Sequence, residues 1–362
     1  MSFDPNKPYN DLPNLPPAGE LDTKAVLKKT ITTARTLAEL KGATNRIPNP
    51  ALLINSIVLQ EAKSSSEIEN IVTTNDELYK AISAKSNGSS GSAKEVVRYR
   101  EAMWEGFNEL RNREVLTTNL FIKIFRKIKD TDAGIRNTPG TKLQNPRTNE
   151  IIYTPPEGEN LIRDLLSNLE KYIHSDEDNI DPLIKSAVIH YQFESIHPFT
   201  DGNGRTGRIL LILYFVLTGQ LDLPILFLSK YIIENKNDYY ALLRGVTEKK
   251  EWEPWILYIL DGIEQTSNHT VSLIDKINNS LKITLEKVKR EKQTRMPKEV
   301  VELIYEQPYC KTEFITDRKI SARKAAERYL KELERLNILR PEKVGKEILY
   351  INIELFKILS GK

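Results

Sequence analysis

Residues 197–208, His-Pro-Phe-Thr-Asp-Gly-Asn-Gly-Arg-Thr-Gly-Arg, combine in one short run the groups that phosphate chemistry needs. The run holds one histidine, one aspartate, three glycines and two arginines, and an apolar run from Ile209 to Val216 follows it. That apolar run predicts a helix. Because the first turn of a helix has free backbone N–H groups at the positive end of the helix dipole, the glycine-rich turn predicts an anion site. Arg205 and Arg208 would share one face of this helix.

The side chains of this run suit a reaction at a phosphate. His197 can take a proton near neutral pH, and Asp201 is a hard oxygen ligand for a cation. Arginine carries a fixed charge and forked donors that match phosphate oxygens. Taken singly, a histidine is more often a packed core residue, and a turn aspartate or a helix arginine is more often solvated. Their combination in so short a run favours the chemical interpretation.

Residues 202–207 also match the G-x-G-x-x-G pattern of dinucleotide-binding sites. That pattern requires a preceding strand and a βαβ unit. Residues 183–193 instead have the apolar pattern of a helix, and no alternating strand pattern surrounds them. We therefore reject the dinucleotide-binding interpretation.

Composition and charge place the whole chain among ordinary globular proteins. It has 362 residues, of which 40% are hydrophobic and 28% are charged, so it is long enough for two or three domains. A net charge of +3 does not argue for a nucleic-acid partner. The single cysteine, Cys310, fits a reducing compartment. No signal peptide or membrane span is recognisable, and we predict a cytoplasmic protein with no membrane partner.

Helical periodicity dominates, and the predicted fold class is mainly α. The exception is a β-hairpin at about residues 140–156, with a turn at residues 145–149. Residues 86–92, Ser-Asn-Gly-Ser-Ser-Gly-Ser, predict a flexible loop. The predicted organisation is a helical region over 1–95, a helical core over 96–265, a polar helical connector over 266–296 and a small C-terminal domain over 297–362.

The C-terminal domain has its own pattern of elements. Two short helices, a longer helix capped by Ser321 and two strands around a glycine follow one another. This is the order of elements in a winged helix-turn-helix, which we predict for residues 297–362.

The run 197–208 resembles the motif H-P-F-x-[D/E]-G-N-G-R-x-x-R of the Fic family, whose members transfer AMP from ATP to hydroxyl side chains of proteins. Every fixed position is present. The helix before His197, the hairpin, and the stretches Asp-Tyr-Tyr at 238–240 and Trp-Glu-Pro-Trp at 252–255 also resemble their family counterparts, so the resemblance covers about residues 20–265. It implies a Fic-type helical bundle with the hairpin as a flap, and a nucleotidyltransferase whose catalytic core is 96–265.

The resemblance also implies a role for each residue of the motif. His197 would be the catalytic base, Asp201 would hold Mg²⁺ on the nucleotide phosphates, and Phe199 would pack inward to fix the loop. Arg205 would serve the α- and β-phosphates and Arg208 the γ-phosphate. The nucleotide-binding residues that it implies are Gly202, Asn203, Gly204, Arg205, Thr206 and Arg208, with Gln192 and Tyr239 on the nucleoside side.

A second family motif, [S/T]-x-x-x-E-[G/N], is typical of an inhibitory helix. Residues 65–70, Ser-Ser-Glu-Ile-Glu-Asn, fit it, with Ser65, Glu69 and Asn70 at the defined positions. Ser65 and Glu69 are one helical turn apart and share a face. On its own this short pattern describes any surface helix. Together with the complete first motif, it implies that Glu69 pairs with Arg208 in the place of the γ-phosphate and inhibits the enzyme.

We therefore expect a protein adenylyltransferase that uses ATP and Mg²⁺ and modifies a Ser, Thr or Tyr hydroxyl of a target, or of itself. The target would bind the strand edge of the 140–156 hairpin through its backbone. One alternative is a Fic-fold transferase with another donor, such as UTP or CDP-choline. The other is a DNA-binding regulator whose Fic domain senses nucleotide, because residues 318–331 carry six basic side chains interleaved with glutamates. The sequence leaves open the target, the base preference, the release of Glu69, the removal of AMP and a homodimer.

Overall fold

The computed structural model describes residues 3–46, 50–83, 91–144, 148–291, 295–306, 308–345 and 347–361. The loop predicted at 86–92 lies mostly outside these residues, as does most of the predicted hairpin turn. The fold is mainly α, as predicted, with two small antiparallel sheets. None of the helices in the described ranges is both long enough and apolar enough to cross a membrane.

Three helices form the N-terminal region. They are α1 (Lys24–Thr44), α2 (Pro50–Ile68) and α3 (Asn75–Ser83). Thr23 caps α1, because its hydroxyl accepts a hydrogen bond from the backbone N–H of Val26. Ser65 of the predicted inhibitory motif lies in the last turn of α2, and Glu69 follows directly after the helix ends at Ile68. Asn70 comes next with a left-handed φ of 63°.

The next part of the described chain contains the hairpin and the helices that precede and follow it. The bounds are α4 (Gly91–Arg113), α5 (Thr118–Lys129), β1 (Leu143–Gln144), β2 (Ile151–Tyr153), α6 (Glu159–His174), α7 (Pro182–Ile196) and α8 (Asn203–Leu217). The strands pair antiparallel, which confirms the predicted hairpin. Helices α7 and α8 pack together and are buried on nearly every side. Their all-round apolar sequences are those of central helices, and the motif 197–208 joins them.

The predicted connector is part of a longer helix. After α9 (Leu228–Glu234) and α10 (Lys236–Lys249), α11 runs unbroken from Trp252 to Arg290, so the predicted boundary at 265/266 falls inside it. The segment has no proline or glycine that would end a helix there. Its small polar and apolar residues form a buried stripe, which includes Thr266, Thr270, Ile274 and Ile277, and α11 packs along α1. The boundary at 95/96 likewise falls inside α4.

The C-terminal region contains the predicted elements and two more. It consists of α12 (Lys298–Glu306), β3 (Tyr309–Cys310), α13 (Thr312–Asp317), α14 (Arg323–Arg335), β4 (Leu339–Val344), β5 (Glu347–Asn352) and α15 (Ile353–Ser360). Strand β5 lies between β3 and β4. The predicted cap is wrong: α14 begins at Arg323 after Ala322, without a side-chain cap, because the Ser321 hydroxyl turns instead towards the Ala322 carbonyl.

Candidate functional site

The loop between α7 and α8 is held rigidly from inside. His197 ends α7 in a left-handed conformation with φ of 50°, and Gly202 precedes α8 with φ of 79°. The Asn203 side chain both accepts from the N–H of Phe199 and donates to its carbonyl, each at 2.8 Å. The Thr206 hydroxyl donates to the Gly202 carbonyl at 2.9 Å. Two of the predicted nucleotide-binding side chains, Asn203 and Thr206, are thus engaged within the loop and fix its shape.

Phe199 anchors the loop in the core, as predicted. Its ring is fully buried and stacks on Phe125 of α5, with 4.1 Å between the ring centroids and 4° between the planes. This contact fixes the centre of the loop against a neighbouring helix. The residues on either side of Phe199 therefore have little freedom.

Arg136, which lies between α5 and the hairpin, holds the backbone at His197. Its guanidinium donates to the His197 carbonyl at 2.8 Å and to the Pro156 carbonyl, while its own N–H donates to the Pro198 carbonyl at 2.9 Å. Burial, together with the charge of Arg136, lowers the pKa of His197 to about 4. His197 is therefore neutral near pH 7 and has a lone pair that can accept a proton.

Arg205 and Asp201 belong to a charge cluster at the start of α8. Arg205 is completely buried and pairs with Glu95 of α4. Lys129 of α5 joins the two carboxylates, since its Nζ lies 3.1 Å from Glu95 and 2.6 Å from Asp201. Burial opposes the shift, but Lys129 and then Arg205 lower the pKa of Asp201 below its ordinary value, so Asp201 is an ionised carboxylate.

Arg208 and Glu69 meet as the second motif implies. The Arg208 Nη2 lies 2.8 Å from Glu69 Oε1 and 2.9 Å from the Ser65 carbonyl, and its Nε donates to the Ser65 hydroxyl at 2.8 Å. Arg208 is buried, with its side chain 2% exposed, whereas Glu69 is 33% exposed. Burial disfavours the charge of Arg208, but Glu69 and Glu194 raise its pKa above the ordinary value. Arg208 is therefore a permanent cation held by Ser65 in the last turn of α2 and by Glu69 directly after that helix.

A cavity of about 120 Å³ lies over the start of α8. It brings together five residues that the sequence predicted from separate parts of the chain: Glu69, His197, Gly204, Arg208 and Tyr239. A Cβ atom at Gly204 would collide with Glu69 Oε1 and come within 2.9 Å of Arg208 Nη1, so a side chain there would displace this ion pair. The same cavity is therefore lined by the candidate base His197, by Gly204 at the start of α8 and by Arg208.

Gln192 does not lie in this cavity. It is 2% exposed and donates through Nε2 to the Pro13 carbonyl at 2.9 Å, next to a separate small cavity under the N-terminal segment. The prediction placed it one turn before the loop, but α7 turns its side chain away from His197. Tyr239 does line the cavity, and its hydroxyl is bonded to His190 Nε2 at 2.9 Å.

Residues 3–15 cover the hairpin side of the cavity. Phe3 lines the cavity and stacks on Tyr153 of β2, with ring centroids 5.9 Å apart. The N–H of Tyr9 donates to the Thr154 carbonyl at 3.0 Å, and the Thr154 hydroxyl donates to the Pro5 carbonyl at 2.6 Å. The chain's own N-terminal segment therefore forms backbone hydrogen bonds at the end of β2.

The carboxylate of Asp201, in the loop before α8, fits a magnesium ion that is held mainly by a nucleotide. Over the described ranges, no three His, Cys, Asp or Glu side chains come together to form a metal site. Mg²⁺ on a nucleotide needs only one or two protein carboxylates, because phosphates and water complete its shell. Asp201 is ionised, its side chain is 63% exposed, and it lies at the start of α8, so it can supply such a carboxylate if Lys129 moves aside.

Sequence reasoning missed the residues that support the motif from a distance. Glu95, Lys129 and Arg136 have no local pattern that links them to residues 197–208, and only the packing of α4 and α5 on α8 brings them there. Glu194 was missed although it lies only three residues before His197 and lines the same cavity. Residues three apart in a helix lie on the same face, so the position of Glu194 three residues before His197 could have predicted that both line the site.

The fold and the site define a mainly helical protein with a glycine-rich helix N-terminus beside a neutral histidine. Three family models match the chain: "Fic/DOC family N-terminal" over residues 27–108, "Fic/DOC family" over 115–215 and "Protein adenylyltransferase SoFic-like, C-terminal domain" over 281–355. The chain belongs to the Fic/DOC family, which confirms the family resemblance of the sequence.

Curated relatives and solved structures agree with this assignment. The chain is similar to protein adenylyltransferase fic-1 of Caenorhabditis elegans, with 30% identity over 141 residues that cover 37% of this chain and 26% of the relative. It is also similar to a probable protein adenylyltransferase of Aquifex aeolicus, with 30% identity over 206 residues that cover 54% of this chain and 57% of the relative. The chain thus spans between about a quarter and somewhat over half of the length of these relatives.

Among solved structures, a Fic family protein from Desulfovibrio desulfuricans has a TM-score of 0.60 at 17% identity, covering 93% of this chain and 98% of that one. A fragment of Fic-1 from C. elegans has a TM-score of 0.52 at 20% identity, covering 69% of this chain and 75% of that one. At these identities the likeness establishes the fold.

Proposed function

We propose that this chain is a protein adenylyltransferase that moves AMP from ATP to a Ser, Thr or Tyr hydroxyl, and that Glu69 inhibits it. The observation that carries the proposal is the cavity in which neutral His197, the α8 N-terminus and Arg208 meet, with Glu69 bound to Arg208. The relatives named protein adenylyltransferase support the same activity. We propose that an acceptor hydroxyl and the phosphates of ATP meet the base in this space.

The start of α8 is suited to the phosphates. Its first backbone N–H groups have no partners within the helix, and Gly204 of its first turn lines the cavity. Arg208 adds a fixed positive charge one turn further along. We propose that the terminal phosphate takes the place of the Glu69 carboxylate on Arg208, because both are anions of suitable geometry for a guanidinium.

In the proposed reaction, His197 acts as the base. The O–H bond of the acceptor breaks as His197 takes the proton, and the acceptor oxygen forms a bond to the α-phosphorus of ATP. The bond between that phosphorus and the pyrophosphate oxygen breaks at the same time. Arg208 and the α8 amides stabilise the charge on the leaving pyrophosphate, and Mg²⁺ held by Asp201 and the phosphates would neutralise part of it.

The hairpin is the proposed docking place of the target. The backbone of residues 5–9 is hydrogen-bonded at Thr154, which supports the idea that an extended segment binds there. A target would bind beside this segment or displace it. A homodimer and DNA binding by residues 297–362 stay predictions. Part of the basic charge in the latter region is paired with carboxylates, since Arg318 is bound by Glu306, and Arg335 by Glu291 and Glu332.

The test compares Glu69→Gly with Glu67→Gly and His197→Ala. Glu67 lies in the last turn of α2, two residues before Glu69, so Glu67→Gly introduces a glycine at the same end of the helix without removing the partner of Arg208. Each protein is incubated with Mg²⁺ and ATP labelled at the α-phosphate, and the label on the protein and on a mixture of candidate targets is measured.

We expect Glu69→Gly to raise labelling on the order of tenfold, which corresponds to ~1.4 kcal/mol of Arg208 interaction passing from Glu69 to the terminal phosphate. Glu67→Gly should label like the wild type, and Glu69→Gly combined with His197→Ala should not label. Equal labelling by the two glycine variants would refute the inhibition. Labelling that persists without His197 would refute the proposed catalytic role. Intact-mass analysis of the modified protein distinguishes AMP from groups that other donors would add.

A further inference from the structure

The cavity contains a second carboxylate that the proposed reaction does not use. Glu194 lies on α7, one turn before His197, and lines the cavity with Glu69 and Arg208. Its Oε1 is buried and has no hydrogen-bond partner among the described residues. It presses against α8 at Gly207, where a Cβ atom would lie 2.5 Å from this oxygen. The absence of a side chain at Gly207 therefore makes the space that Glu194 fills.

Arg208 is the cation that opposes this carboxylate, and it is already engaged. Its Nε and Nη2 are bonded to Ser65 and Glu69. Glu194 and Glu69 both act electrostatically on this guanidinium, and two ionised carboxylates would leave one negative charge in excess beside the buried Arg208.

The other charged or titratable groups around the cavity do not remove this excess. His197, on the same helix, is neutral because its pKa is lowered to about 4. From α10, the pKa values of Tyr239 and Tyr240 are raised, chiefly by burial, so both hydroxyls are neutral. Arg244 of α10 is paired with Glu248, and β2 contributes only the hydroxyl of Tyr153, whose pKa is also raised by burial.

Burial raises the pKa of Glu194 to about 7; Arg208 opposes this shift and Glu69 adds to it. The group therefore changes its charge near neutral pH, next to the guanidinium on which the proposed function places a terminal phosphate.

We propose that Glu194 is a positioning residue that acts through Arg208: protonated, it leaves the guanidinium to a bound triphosphate, and ionised, it competes with that triphosphate. The inference rests on the proposed function, since it requires a triphosphate at Arg208. By linkage, a triphosphate that binds beside Glu194 favours its neutral form, so that binding takes up a proton. The affinity for triphosphate should then fall as the pH rises through the pKa of Glu194.

The experiment measures the affinity of the full chain for an ATP analogue that has a methylene group between the α- and β-phosphorus atoms, with excess Mg²⁺, from pH 6 to 8.5. Three variants are compared. The first is Glu69→Gly, the second combines Glu69→Gly with Glu194→Gln, and the third combines Glu69→Gly with Glu177→Gln. Glutamine keeps the size of Glu194 without its charge. Glu177 is an exposed residue in the turn before α7 and serves as the matched control.

At pH 6, we expect Glu69→Gly and the Glu194→Gln double variant to have the same Kd. At pH 8.5, the Kd of Glu69→Gly should be about tenfold higher, which is the effect expected if bound triphosphate raises the pKa of Glu194 by one unit. Titration of the ligand itself cancels in this ratio. The Glu177→Gln double variant should follow Glu69→Gly throughout. For the corresponding diphosphate, which lacks the group placed on Arg208, the ratio should stay near one. A ratio that does not change with pH overturns the inference while leaving the proposed function intact.

Calorimetry of Glu69→Gly in two buffers of different ionisation enthalpy gives a second measurement that needs no change at Glu194. Binding near pH 7 should take up part of a proton, about 0.4 for a shift of one pKa unit from about 7. Binding at pH 7 without proton uptake overturns the inference. If Glu69→Gly binds no triphosphate at any pH, the proposed function fails and this inference fails with it.

Discussion

Arg136→Met should both destabilise the protein and change the acidity of His197. The methionine keeps most of the apolar stem of Arg136 and removes only its guanidinium. The side chain is 3% exposed, and the guanidinium donates to the carbonyls of His197 and Pro156, with a longer bond of 3.4 Å to Ile196. Without it, carbonyls at the end of α7 and after β2 lose their charged donor inside the protein.

The size of the effect follows from these bonds. Two well-formed hydrogen bonds from a charged group stabilise by about 1.5–3 kcal/mol each, and the burial of the guanidinium offsets part of this. We expect a net loss of about 3 kcal/mol and a fall in Tm of about 5 °C for a chain of this size. Arg163→Met is the control, because Arg163 forms an exposed pair with Glu159, which stabilises by only about 0.5 kcal/mol. Differential scanning calorimetry measures both.

The second part of the prediction concerns pH. The charge of Arg136 adds to burial in lowering the pKa of His197, so Arg136→Met should raise that pKa. A base works only when it is neutral, and activity is lost as the pH falls through its pKa. In the Glu69→Gly background, the acid limb of self-labelling should therefore move to higher pH when Arg136→Met is added. The reasoning is refuted if Arg136→Met lowers Tm no more than Arg163→Met and leaves the acid limb unchanged.

Two further predictions concern other contacts. Phe199→Ala should lower the stability by about 3–5 kcal/mol, because a fully buried ring stacked on Phe125 is lost; urea unfolding measures it, and a loss below about 1 kcal/mol would contradict the anchoring role. Arg318→Ala should cost about 1–3 kcal/mol at pH 7.5, because Glu306 is buried and loses a charged donor. Burial already raises the pKa of Glu306 although Arg318 opposes it, so protonation should make the cost smaller at pH 5, and an equal cost at both pH values would contradict this explanation.

The sequence predicted the parts of the site that are contiguous along the chain. The local structure of residues 197–208 follows from their own side chains. Gly202 lies where φ is positive, and Asn203 both donates to and accepts from the loop backbone. Apolar residues then continue α8. The pairing of Glu69 with Arg208 was expected from two motifs together, and the structure brings these two side chains to 2.8 Å.

The sequence did not predict what depends on packing between distant segments. Gln192 has the right spacing to face the loop, but α7 is buried on all sides, so its periodicity does not indicate which side faces the cavity. Glu95 and Lys129 reach Arg205 and Asp201 only because α4 and α5 pack on the start of α8. The polar residues after 265 suggested a solvated connector, although small threonines and serines there are buried in α11.

The contact between Glu69 and Arg208 has the properties that the proposed inhibition requires. An ion pair that removes a guanidinium from water gains little net free energy, because desolvation offsets most of the attraction. Glu69 is itself one-third exposed, so its carboxylate can move into water at small cost. Arg208 is buried, so its charge must be compensated by an anion inside the protein. A triphosphate has more negative charge than one carboxylate and would also meet the free amides of α8. Glu69 can therefore hold Arg208 in the absence of nucleotide and still be displaced.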